Sequence, residues 1–433
     1  MTVRLKRLGM GVAMSVVPRL PASLAMRITP SPVWLVSLLL TRDDPAAAVR
    51  CLKRLAATSP EIAALLRIDE QLQSGAIPAD AIADAMPIPV LQAFVTTGIA
   101  PLRHAAKAFN ALGCLRLGGA LRALVLLRVA AANIASGEDR GWQHEAVLLE
   151  IAANDHCARF MARPEVMPEA CRTALQEELQ AVAGWSLARK VSVLVGQDSP
   201  AMPALRARMA GRSLRFQGPS SRSSDLDDTP ADLTCVVGYS GPGSLARPVD
   251  SIGVSLYKKH KIAAMRGDGL LHHMADVQVP VLNPEDLRQE RAFYADLIEK
   301  YGASLTNVRW ASLNSQMNAG TELFVWMLNC GASSVSVSHL DLFLNRTYPP
   351  GYLAGGKAQA SRDGPGWQME EWSQLKSFGY HEPSQQFAIY RAFHPHREVA
   401  YDGILDAIVE KPFSAYASAL EDGYRVWRGR AEA

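Results

Sequence analysis

The chain has 433 residues, 48% hydrophobic and 20% charged, which is enough apolar surface for more than one core and excludes a disordered protein. Forty-five Lys and Arg against forty-two Asp and Glu leave a formal charge of +3, too even a balance for a dedicated nucleic-acid binder. Cysteines at 51, 114, 157, 171, 235 and 330 form no CxxC pair and no zinc-ligand spacing, so free thiols and a reducing, cytoplasmic setting are expected.

The first 42 residues carry Arg4, Lys6, Arg7, Arg19, Arg27 and Arg42, with no acid before Asp43. Two apolar runs lie among them, Leu8 to Val17 and Val33 to Leu40, each about half the roughly 20 residues a membrane-spanning helix needs. Pro18-Arg19 cuts short a signal-peptide reading. Two readings stay open: a basic amphipathic segment in peripheral contact with the inner face of an anionic membrane, or an ordinary first helix packed on its own domain. No membrane-spanning segment is expected anywhere.

Good helix formers dominate from there to about residue 212, and strand-like alternation is scarce. Pro60 to Gln73, Ala79 to Ala85, Ala105 to Ala135, His144 to Ala162 and Pro168 to Leu194 are the expected helical stretches. Ser74-Gly75, Gly113, Gly118-Gly119 and Ser136-Gly137 are the expected breaks. No repeat period recurs. Residues 1–216 are therefore expected to form an all-α N-terminal domain. Residues 217–230, rich in Gly, Pro, Ser and Asp, read as a linker.

After it the pattern changes. Leu233 to Val237 is a short β-rich apolar run, and Val254 to Tyr257, Val277 to Val281 and Val335 to Val337 are further strands. Helical stretches, Pro284 to Tyr301 and Gly320 to Cys330, lie between them. Such alternation predicts an α/β C-terminal domain over 231–433 with a mostly parallel sheet.

Three stretches there can carry chemistry. The run Cys235-Val-Val-Gly-Tyr-Ser-Gly-Pro-Gly-Ser244 leads a strand into a small-residue loop whose N–H groups can approach a phosphate, unless it is only a tight βα turn. Lys258 and Lys259, in the densest cationic run, offer charge for a phosphate or carboxylate, or simply face solvent. Asn318-Ala-Gly320-Thr321 opens an apolar helix, where the macrodipole favours an anion and where Asn318 or Thr321 can equally be a plain cap. His381 sits in a turn before a helix; a loop histidine there is either structural or a proton acceptor working near neutrality. His394-Pro-His396 is the one metal-like pair, and no metal site is expected from it.

In order and spacing these stretches resemble the motifs of the sialyltransferase superfamily. Cys235 to Ser251 resembles the large motif, Asn318-Ala-Gly320 to Val337 the small one, and Tyr380-His381 to Gln386 the last. The match covers about Asp232 to Ala407 and none of the helical half. Tyr239 replaces the family's Asn, Tyr257-Lys258-Lys259 replaces its Arg-x-Asn, and Gln386 stands where it has an acid, leaving Glu382 or Asp402 to orient the histidine.

The resemblance implies a Rossmann-like sheet and an inverting, metal-independent glycosyltransferase that uses a CMP-activated acid sugar, sialic acid or Kdo, on a glycan or glycolipid acceptor, with no separate cofactor. Gly238, Tyr239, Ser240, Gly241, Gly243, Ser244, Lys258, Lys259, Asn318, Gly320 and Thr321 would hold the nucleotide, and His381 would be the base. The competing expectation is a non-catalytic helical interaction protein with a degenerate transferase domain.

Overall fold

Helices fill the first half of the chain in the structure, a computed structural model that describes residues 45–96, 99–137, 141–195, 202–220, 223–237, 251–255, 268, 274–278, 317–344, 378–379 and 381–423. They are α1 (Pro45–Ala56), α2 (Pro60–Gln73), α3 (Ile82–Ala85, entered from a 3-10 turn), α4 (Ile88–Thr96), α5 (Ile99–Ala111) and α6 (Leu115–Ser136). The series continues with α7 (Gly141–Ala153), α8 (Asp155–Met161), α9 (Glu169–Ala183), α10 (Leu187–Leu194) and α11 (Met202–Met209). Local chemistry sets several of their ends. Ser59 accepts from the Ile62 N–H, with Pro60 at the first position of α2. Asn154 caps α8 by accepting from the His156 N–H at 3.1 Å, which divides the stretch expected to run unbroken from His144 to Ala162.

The expected break at Gly118-Gly119 does not occur, because α6 runs straight through both glycines. Their role is close approach. A Cβ on Gly118 would sit 2.0 Å from Asn110 Oδ1 of α5, and one on Gly119 would sit 2.3 Å from Phe413 Cε1. Contrary to expectation, α6 is long and apolar enough to cross a bilayer, but 67% of its most apolar window is buried inside the protein, as in a core helix.

The sheet consists of β1 (Ser213–Gln217), β2 (Leu233–Val237), β3 (Ser251–Ser255), β4 (Met274–Gln278), β5 (Ser334–Ser338) and β6 (Val399–Tyr401), with α12 (Ala319–Asn329), α13 (Pro383–Phe393), α14 (Gly403–Val409) and α15 (Phe413–Gly423). The strand order is β4-β3-β2-β1-β5-β6, and every described neighbour pair is parallel, so the C-terminal half is α/β as expected. β3 and β4 lie about three residues earlier than read from the sequence, and β1 and β6 were not read at all.

Two observations cross the boundary expected at residues 217–230. β1 ends at Gln217 and lies between β2 and β5. In addition, α13 and α15 pack on the helices of the first half: α13 against α7, α10 and α6, and α15 against α6 and α8. One buried apolar cluster runs through both halves. On its other flank α13 meets the sheet layer through aromatic contacts. Phe324 of α12 stacks on Tyr390 at 5.0 Å and meets Phe393 edge-on at 5.6 Å, and the Tyr401 hydroxyl donates to the Tyr390 carbonyl at 2.7 Å.

Candidate functional site

In an open parallel sheet, ligands bind outside the carboxyl ends of the strands where the order reverses. Here that point lies between β1 and β5, since the chain runs outward from β1 to β4 and then returns to the other side. Gly218 follows β1, and its N–H donates to Ser338 O at 2.7 Å. A Cβ there would lie 2.4 Å from the His339 carbonyl oxygen, so the two strand ends can close up only over a glycine.

After β5, His339, Leu342 and Phe343 all adopt positive φ (57°, 45° and 72°), a strained conformation for side-chain-bearing residues. His339 is tied down on three sides. Its N–H donates to Asp402 Oδ2 at 2.9 Å, Nε2 lies 2.7 Å from Asp227 Oδ1, and Nδ1 lies 3.2 Å from Ser220 O. Both ring nitrogens are thus engaged, which makes His339 a clamp on the strand ends. Asp402 is fully used too, because its other oxygen caps α14 through the Leu405 N–H at 3.0 Å.

The N-terminus of α12 opens onto the same edge. A Cβ on Gly320 would meet Phe216 of β1 at 3.6 Å and Val237 of β2 at 3.8 Å, so the helix starts directly beside the last described residue before Gly238. Asn318 is the N-cap, and its Oδ1 accepts from the Thr321 N–H at 2.8 Å. Gln386 of α13 reaches across. Its Oε1 accepts from the Asn318 N–H at 3.2 Å and from the Thr321 hydroxyl at 2.7 Å. Thr321 is 0% exposed, so its side chain faces Gln386 and not solvent. Among the described residues no acceptor meets the N–H of Ala319 or of Gly320. These are the two donors through which a helix start holds an anion.

His381 is half-buried just before α13. Glu382, its neighbour, is 0% exposed, and its Oε2 lies 2.7 Å from Nη1 of a buried arginine in the other half of the chain, Arg122 of α6. Arg122 also forks onto Glu150 of α7, Nε to Oε1 at 3.0 Å and Nη2 to Oε2 at 2.9 Å, and the Ser384 hydroxyl donates to Glu150 Oε1 at 2.7 Å. Burial works against the Arg122 charge, but Glu150 and Glu382 outweigh it and push its pKa up. Beside this cluster, α5 carries Arg103, His104 and Lys107. Burial, then Arg103 and Lys107, push His104 down to about 4, and burial lowers both Arg103 and Lys107 although the Glu382 charge opposes it. Arg103 and Lys107 therefore bring two half-buried basic side chains close to Glu382 at the start of α13, with the neutral His104 between them.

The structure brings together Asn318, Gly320 and Thr321 with Gln386, four residues ahead of which the chain turns at Glu382 and His381. Gly238, Tyr239, Ser240, Gly241, Gly243, Ser244, Lys258 and Lys259 lie outside the described residues. Sequence reasoning missed Gly218, His339, Arg122 and Glu150. Only Gly218, followed by Pro219, had a local signal, and it was absorbed into the linker reading. No family profile, no curated protein and no solved structure matches the chain.

Proposed function

We propose that this chain is an inverting glycosyltransferase that moves an acidic sugar, Kdo or sialic acid, from its CMP donor to a glycan or glycolipid acceptor without a metal or separate cofactor, on a Rossmann-like, sialyltransferase-like sheet. It would work in the cytoplasm, at the inner membrane face if the basic N-terminus makes peripheral contact. The observation that carries the reading is Gln386. Its carbonyl oxygen ties the start of α12 to the segment after His381, so two stretches that resemble separate transferase motifs share one site at the carboxyl edge of a parallel sheet.

In this reading the N–H groups of Ala319 and Gly320, at the positive end of α12, hold the departing phosphate. His381 accepts the proton of the acceptor hydroxyl as its oxygen attacks the anomeric carbon in line. The bond from that carbon to the CMP phosphate oxygen breaks, and the configuration inverts. The cations of α5 give the region a positive potential suited to an acidic donor.

One observation favours the non-catalytic reading. Gln386 takes up two donors at the helix start and, unlike a carboxylate, brings no charge to orient a histidine. Thermal shifts of the full chain with CMP, CTP, UDP and GDP separate the cases. A cytidine nucleotide at about 100 times its Kd adds about 2.7 kcal/mol, with smaller shifts for the others. Equal shifts, or none, refute the assignment. With CMP-Kdo and CMP-sialic acid as donors, His381→Ala should lower turnover about 10² to 10⁴-fold while CMP still binds; turnover retained within a few-fold in the folded variant refutes His381 as the base, and CMP binding without turnover in the wild type leaves only the binding role.

A further inference from the structure

A second polar cluster lies at the opposite end of α13 from His381. His394 is the C-cap residue of α13, and Asp406 and Glu410 stand one turn apart on α14, with Glu410 as its C-cap. One ligand atom from each, an imidazole nitrogen and two carboxylate oxygens, lie within 4.8 Å of one another. The imidazole is already set. Nε2 lies 2.7 Å from Asp406 Oδ1, and the ring stacks on Tyr401 with centroids 5.8 Å apart and planes 23° from parallel.

Two independent features make this a place for a cation. α13 ends at His394 and α14 at Glu410, so the negative poles of both backbone dipoles lie beside the cluster, with Asp406 in the first turn of α14. The adjacent cation does not neutralise the two carboxylates, since Arg391 lies over the Phe387 ring and donates to the Lys411 carbonyl at 2.5 Å.

We propose that His394, Asp406 and Glu410 form a divalent transition-metal site that takes zinc. One imidazole with two carboxylates is a borderline donor set. It suits zinc better than magnesium or calcium, which prefer all-oxygen shells, and it lacks the thiolate that selects softer ions. Metal bonds of about 2.0–2.2 Å set the three donor atoms roughly 3–3.5 Å apart, so the His394–Asp406 pair at 2.7 Å opens slightly to admit the ion while Glu410 draws in. Glu410 is exposed and has the side-chain freedom to close that gap, and water completes the shell. The ion replaces the proton between Nε2 and Asp406, with the ring proton moving to Nδ1. Bound zinc would staple the end of α13 to α14, whose capping residue Asp402 also holds His339 at the sheet edge. The proposal does not depend on the transferase reading.

The test is calorimetric titration of zinc chloride into tag-free, chelator-stripped full-length protein, followed by melting with and without the ion. One ion per chain and a higher melting temperature are expected, undisturbed by a large excess of magnesium. Glu410→Gln keeps the His394–Asp406 bond but removes a donor, so it should weaken zinc binding at least about tenfold without changing the melting temperature of the metal-free protein. His394→Ala should abolish binding. Absence of stoichiometric zinc binding, or equal affinity in wild type and both variants, overturns the proposal.

Discussion

Replacing Arg122 with methionine tests the buried junction between the helical layer and the start of α13. The guanidinium is 0% exposed and stands between Glu150 and Glu382, whose side chains are 4% and 0% exposed. Methionine fills much of the volume but leaves two carboxylates without their cation, and breaking a buried pair from one side costs about 3–5 kcal/mol. With an unfolding entropy of about 2.1 cal/mol/K per residue, a chain of this length that melts as one unit has roughly 0.9 kcal/mol/K. Arg122→Met should therefore lower Tm by about 4 °C, alongside a matching shift in the urea midpoint. Adding Glu382→Gln removes one stranded charge and should recover about 1 kcal/mol or more, so the two changes are not additive. A loss below about 1 kcal/mol in Arg122→Met, or no recovery in the double variant, would refute the view that this cluster is charged, desolvated and shared.

His156 of α8 is 0% exposed, and burial pushes its pKa from 6.5 down to about 4. The unfolded chain then binds more protons between those values, so its share of stability is full above pH 6.5 and is lost as pH falls towards 4. The loss should reach about 2 kcal/mol at pH 5, and His156→Leu should flatten that part of a urea-midpoint series against pH. Gly218→Ala places a methyl 2.4 Å from a backbone oxygen and should cost about 1–3 kcal/mol, read as a lower Tm.

How much the sequence disclosed followed how local each signal was. Leu233–Val237 was read at its true bounds because all five of its residues are apolar or β-branched and turn residues flank it. β1 was hidden because Arg215 interrupts Leu214 and Phe216, although Arg215 is itself buried and its guanidinium donates to the Thr229 carbonyl. β6 has only three residues and no pattern to show. The turn before α13 was legible from Pro383, but nothing local reveals that Ser384, Gln385 and Gln386 are all buried. Asn318 as a cap could be read from its place before an apolar helix, whereas its partner Gln386 lies 68 residues away. The Arg122–Glu150–Glu382 junction is of the same kind. Each residue alone looks like an ordinary surface charge, and only the fold supplies the partners.

The position of α13 bears on how the chain can be made. α6, α7 and α8 leave the ribosome more than 220 residues before α13 and α15, the helices that complete their packing. Until then Arg122 lacks Glu382, and the gap that Gly119 leaves for Phe413 is open. Contacts so distant along the chain form late, because the intervening loop must close before they repay its entropy. A nascent chain stalled before residue 383 therefore displays an unfinished apolar face, the kind of surface chaperones bind. Truncation from the C-terminus removes the keystone of the helical layer as well as the last piece of the sheet.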